Sequence, residues 1–183
     1  MNVTKVLTHR DALAYWLNDN QLVGEGAEIG SAQGQFAAKI MSVWKGKKLY
    51  MVDPWNVQTT QEYPEKHNHI DFDHWYSCCQ AMAENDNRIQ LMKMMSVEAV
   101  SRIRNMSLDW VYIDANHAYG HVLEDLDLWY PKVKVGGLFG GHDFYTNTKD
   151  GNWCEVDSAV ERWTRERNIT FTVTPCTSWW SIK

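Results

Sequence analysis

Glu28, Asp53, Asp114, His142 and Asp143 each stand at or near the end of a short apolar run. Carboxylates placed this way can hold ribose hydroxyls or a divalent cation, and an imidazole, titrating near neutral pH, can move a proton. Glu28 leads into Gly30 and Gly34, with Ser31 and Gln33 between the two glycines. Glycine lets the backbone approach a ligand where a Cβ would collide, and the N–H groups at a helix start favour polar or anionic ligand atoms. Asp53 follows this turn by roughly 20 residues, the separation at which a carboxylate reaches the ribose of an adenosine-bearing ligand. His117 opens the segment after Asp114, and Tyr119 in the same segment is a weaker candidate. His67 and His69 have no third ligand nearby, so they read as solvated surface rather than a metal site.

These residues need elements to position them. The stretch Ala27 to Asp53 reads as strand, glycine turn, helix and strand, with Phe36, Ile40 and Val43 at helical spacing. Gly24 and Gly26 precede the strand and are expected in a loop, which puts a GxG on the wrong side for a dinucleotide fingerprint; after the strand the spacing is ExGxxxG. Ahead of it, Arg10 to Leu17 reads as a short helix with Thr8 as its cap. After Asp53, residues 56–85 form the least regular stretch, expected to be a lid or substrate-loop insertion whose later part, Asp71 to Ala83, has helical spacing. Arg88 to Lys93 is a third strand, and Ser96 is placed to cap a helix with Glu98 in its first turn. Leu108 to Asp114 is a buried strand. The helix from Gly120 to Tyr130 turns Val122, Leu123, Leu126 and Trp129 inward and Glu124, Asp125 and Asp127 outward. A small-residue strand then ends in His142 and Asp143, and a helix from Glu155 to Arg167 precedes two β-type runs, Ile169 to Val173 and Trp179 to Ile182. Such alternation predicts one α/β domain over residues 1–183, with a largely parallel sheet covered on both faces and an antiparallel hairpin at its end. In that architecture ligands bind outside the carboxyl ends of the strands.

The 183 residues suit one domain with a real core, and a net charge of −5 gives no phosphate-neutralising surface for nucleic acid. With no signal-type apolar segment and no run long enough to span a bilayer, the expectation is a cytoplasmic protein without a membrane partner. The four cysteines, Cys78, Cys79, Cys154 and Cys176, include no CxxC pair and are expected as reduced thiols. Ten tryptophans predict aromatic packing in the core and at a homodimer interface, with an aromatic-walled substrate pocket as the alternative.

The segments EIGSAQG (Glu28 to Gly34), YMVDPW (Tyr50 to Trp55) and DWVYIDANHAYGHVLEDLDLWYPKVKVGGLFGGHDF (Asp109 to Phe144) resemble those of class I S-adenosylmethionine-dependent methyltransferases, in the small group near the sugar and macrolide O-methyltransferases and cephalosporin-hydroxylase-like proteins. The resemblance spans nearly the whole chain. It implies a Rossmann-like three-layer sandwich with a seven-stranded, mostly parallel sheet ordered 3-2-1-4-5-7-6 and the last strand antiparallel. It also implies that Glu28, Gly30, Ser31, Gln33 and Gly34 surround the methionine and ribose parts of S-adenosylmethionine, that Asp53 binds the ribose hydroxyls, that Trp55, Met95 and Ser96 lie near the adenine, and that Asp114 faces the methyl donor. In metal-dependent relatives the positions of Asp114, His142 and Asp143 bind magnesium. The histidine departs from an all-oxygen set and favours softer ions such as manganese.

The reaction so implied is methyl transfer to a hydroxyl of a small molecule, a sugar or secondary metabolite. Asp114, His117, His142 and Asp143 are its catalytic candidates, either through a magnesium or manganese ion or with an imidazole as general base. The alternative is a protein that binds the cofactor without transferring methyl, and the misplaced GxG disfavours a nicotinamide-linked dehydrogenase.

Overall fold

The computed structural model describes residues 7, 9–56, 71–145 and 154–183. Seven strands form one sheet: β1 (Glu25–Ile29), β2 (Lys48–Asp53), β3 (Ile89–Lys93), β4 (Leu108–Ile113), β5 (Val133–Gly141), β6 (Thr172–Val173) and β7 (Trp179–Ile182), in the order β3-β2-β1-β4-β5-β7-β6. The five strands β1 to β5 pair in parallel, while β7 runs antiparallel to both β5 and β6. This is the predicted topology.

β4 is buried at every position because both of its faces are covered. Val111 and Ile113 face a core completed by α5 (Tyr119–Trp129) and α6 (Val156–Glu166), through Leu126, Trp129, Val160 and Trp163. Trp110 and Tyr112 face a second core with α1 (Leu13–Asp19), α2 (Gln35–Met41) and α3 (Phe72–Asn85), through Leu17, Ile40 and Cys79. Trp44, Trp55, Trp110, Trp129, Trp163 and Trp179 are fully buried. These six tryptophans are core residues, while Trp16 and Trp75 are partly buried. All four cysteines are free thiols. No helix among the described residues is long and apolar enough to cross a membrane.

Several local expectations shift. Gly26 lies inside β1 rather than in a loop: a Cβ there would meet the Trp110 indole at 2.1 Å, so this glycine is what lets the ring pack across the strand. The first helix is a 3-10 turn (Arg10–Ala12) capped by His9, whose ring accepts from the Asp11 N–H, and it continues into α1. Thr8, the expected cap, lies outside the described residues, as do residues 57–70 with His67 and His69. The described part of the expected lid is α3. Asp71 starts it by accepting from the His74 N–H at 2.9 Å, and Cys79 pins it to the sheet. The short α4 (Ser96–Ala99) is capped by Met95, not Ser96, with the Glu98 carboxylate accepting from the Met95 N–H at 3.3 Å. The Ser96 hydroxyl is instead committed inward to Asp125, and it accepts from Trp129 Nε1 at 2.7 Å. Asp125, expected outward, is thus a buried carboxyl with a dedicated donor.

Candidate active site

Register puts the chemical residues in a row. Ile29 lies opposite Val52 on β2 and opposite Ile113 on β4, and Ile113 lies opposite Gly141 on β5. The residues next along the chain from these partners, Gly30, Asp53, Asp114 and His142, therefore leave the sheet side by side at its carboxyl edge. Strand alignment alone gathers positions separated by more than a hundred residues.

The glycine turn is built around Asp53. Its two carboxylate oxygens accept from the backbone N–H of Ala32 at 2.9 Å and of Trp55 at 2.7 Å, binding the end of β2 to the turn after β1. Burial pushes the Asp53 carboxyl up and these two bonds oppose that shift. Gly30 takes φ +86°, and a Cβ there would meet the Asp114 carbonyl oxygen at 2.1 Å, so the β1 and β4 termini can approach this closely only at glycine. Gly34 takes φ +80° and caps α2. Trp55 donates from Nε1 to the Ala32 carbonyl at 2.7 Å, stacks on Tyr76 and is 2% exposed. Its ring braces the turn. Met95, at the carboxyl end of β3, is 39% exposed, and Ser96 is turned away into its network with Asp125.

Inside the turn, Glu28 Oε2 and Ser31 Oγ are buried with no hydrogen-bond partner among the described residues. Burial raises the Glu28 carboxyl to about 8, opposed by the neighbouring Ser31 hydroxyl and reinforced by the Asp114 and Asp53 carboxylates. Orphaned polar atoms at depth are costly, and a ligand that supplies donors would relieve that cost.

Beside them lies a cluster of charge. Ligating atoms of Asp114, His117 and Asp143 lie within 4.8 Å of one another, with His117 Nε2 at 3.2 Å from Asp143 Oδ2. This set holds Asp114 and Asp143 of the expected one together with His117, and His142 stands beside it. The His142 ring is committed elsewhere: Nδ1 is 3.1 Å from Asp143 Oδ1 and 4.0 Å from Asp114 Oδ2, while Nε2 is 3.2 Å from the Thr177 hydroxyl. Burial opposes charge on His142, but its hydrogen bond to Asp143 and the two nearby carboxylates outweigh it and raise its pKa. Asp143 is held well below the usual carboxylate range by both imidazoles despite its burial. Asp114 is raised to about 6 by burial and by Asp143.

Two participants had no local signal. Arg10, in the 3-10 turn, places Nη1 3.5 Å from Asp114 Oδ2 and lies over the Phe36 ring. Thr177, in the β6–β7 turn, bonds His142 through its hydroxyl and accepts from the Phe144 N–H at 2.9 Å through its carbonyl. Asp143 and Thr177 both adopt left-handed backbone, at φ +60° and +61°. Non-glycine residues hold such conformations where surrounding structure over-determines them, and here they aim two side chains at one imidazole.

A family model described as a methyltransferase domain matches residues 27–144. No curated protein matches the chain. Among solved structures, the chain is similar to the O-methyltransferase NovP at a TM-score of 0.68 and 13% identity, covering 95% of this chain and 77% of that one. It is similar to an O-methyltransferase from Bacillus cereus in complex with SAH (TM-score 0.64, 13% identity, 99% of this chain and 84% of that one). It is similar, too, to TomG from Streptomyces achromogenes, an O-methyltransferase involved in tomaymycin synthesis and bound to SAM (TM-score 0.63, 12% identity, 100% and 83%). At such identities the likeness is one of fold.

Proposed function

The chain belongs to the methyltransferase domain family, and from that premise we propose that it transfers the methyl group of S-adenosylmethionine to a hydroxyl oxygen of a small molecule. The observation that supports this most is the adjacency of two unlike sites at one sheet edge. A glycine turn with buried polar Glu28 and Ser31 side chains suits a polar ligand, and the Asp114–His117–Asp143 cluster beside it suits the control of a proton.

The donor set, two carboxylates and one imidazole, fits a divalent ion of the manganese type better than magnesium, since imidazole favours softer ions. Asp114, His117 and Asp143 would hold it. S-adenosylmethionine held at the glycine turn would supply an electrophilic methyl, and the cation would lower the pKa of an acceptor hydroxyl. The remaining work falls to the protein. Asp53 and the backbone of the glycine turn fix the adenosine end, and Glu28 answers the positive charge of the methionine end. The cluster takes the hydroxyl proton, and His142, tied to Thr177, holds Asp143 in place. Positioning accounts for much of the rate, because in-line displacement demands an aligned oxygen.

The test is calorimetric titration with S-adenosylhomocysteine followed by transfer of labelled methyl to a panel of hydroxylated acceptors. Binding that Asp53→Ala weakens, with label incorporated, is expected. Absence of binding by the wild type would sink the proposal, and binding without transfer to any acceptor would favour a protein that holds the cofactor for another purpose.

A further inference from the structure

At the glycine turn three polar side chains converge: Gln33 of the turn, and His74 and Cys78 of α3. His74 and Cys78 are four residues apart and so share one face of the helix. His74 Nε2 is 3.7 Å from Cys78 Sγ, and the terminal amide of Gln33 is 3.4 Å from His74 Nε2 and 3.7 Å from Cys78 Sγ.

These lengths suit weak hydrogen bonds and suit ligands shared by one ion equally well. A tetrahedral ion about 2.0–2.1 Å from nitrogen and oxygen and about 2.3 Å from sulfur has ligand-to-ligand edges of about 3.4 Å between nitrogen and oxygen and about 3.6 Å to sulfur. All three observed separations match those edges. We propose that Gln33, His74 and Cys78 form a binding site for a soft divalent cation of the zinc type, with water as the fourth ligand.

A half-turn of the Gln33 amide brings Oε1 to the inward position, releasing its 3.4 Å contact with Gln35 Nε2 at the surface. Binding deprotonates Cys78 and releases that proton to solvent, since the thiolate is the ligand. Access is open, with His74 exposed and Cys78 only half-buried. The adjacent Cys79 takes no part: it is fully buried, its thiol lies 3.4 Å from the Ala32 carbonyl, and burial pushes it up to about 12. The ligand chemistry separates this site from the oxygen-rich Asp114 set, because thiolate selects softer ions. An ion here would also tie α3 to the glycine turn, and so act on ligand binding through Gln33.

The experiment is titration of the full-length protein with Co2+ near neutral pH. A thiolate-to-cobalt absorption band in the near ultraviolet is expected, displaced by Zn2+. The band should vanish in Cys78→Ser and His74→Ala and persist in Asp143→Ala. Zn2+ affinity should fall at least about tenfold in Gln33→Ala, a loss that removing even a hydrogen-bond partner of a ligand can produce. Independently of any variant, Zn2+ should protect Cys78 of the wild type from iodoacetamide, as read by peptide mapping. Lack of the band, its persistence in Cys78→Ser, its loss in Asp143→Ala, or unprotected Cys78 would each overturn the proposal.

Discussion

Glu28 illustrates how a single side chain can carry a testable charge argument. Burial raises its carboxyl to about 8. A cationic ligand beside it favours the carboxylate, so binding of S-adenosylmethionine should release a proton and tighten as pH rises toward about 8. The heat of binding should then vary with the ionisation enthalpy of the buffer, and Glu28→Gln should abolish that variation; a buffer-independent heat in the wild type would refute the role. Asp143 makes a second case, because it touches both His117 and His142. Asp143→Ala is expected to lower methyl transfer by about 10²-fold or more while leaving S-adenosylhomocysteine binding nearly unchanged, and chelation of divalent ions should mimic it. Activity that survives chelation intact but not Asp143→Ala would assign the proton to the imidazoles alone.

Elements matter through the few residues that join them. Gly26 in β1 accommodates the Trp110 indole of β4, and Gly26→Ala should cost about 1–3 kcal/mol as an overpacked contact with little room to relax. Ser96 joins α4 to α5 by serving the buried Asp125 and Trp129 Nε1 together. Ser96→Ala leaves both without that partner and should cost about 1–3 kcal/mol in urea denaturation, the usual penalty for stranding a buried polar group. If Ser96→Ala proves neutral, the Asp125 carboxyl has found water instead.

Across the whole molecule, buried carboxyls tie stability to pH. The unfolded chain releases the Glu28 and Asp125 protons near 4.5 and 3.8, whereas the folded chain holds them to about 8 and about 7. In between, the folded state binds more protons. Stability is therefore highest at the lower end and falls as pH rises, by about 1.4 kcal/mol per pH unit for each group, until about 7 for Asp125 and about 8 for Glu28. His142, also raised, acts in the same direction. Denaturation midpoints measured between pH 5 and 8 should decline, less steeply in Glu28→Gln; a flat profile in the wild type would show that these carboxyls are hydrated.

Local pattern was enough for the alternating elements, the ExGxxxG turn and the carboxylates at the strand ends, because periodicity and glycine placement are properties of short stretches. Resemblance added the strand order. Tertiary packing alone decided the rest. Arg10 reaches Asp114 across 104 residues, and Thr177 reaches His142 only because β7 lies beside β5. The place of His117 beside Asp114 and Asp143 has the same origin, since the fold decides which neighbours meet a side chain's lone pairs. Trp55 was legible as a neighbour of Asp53 but not as a buried brace, and Asp125 looked like surface until Ser96 and Trp129 closed over it. Spacing along the chain determines which residues leave the sheet at one edge; the direction each side chain takes from there, and whether its polar atoms are spent or open, is set by neighbours that only the fold brings together.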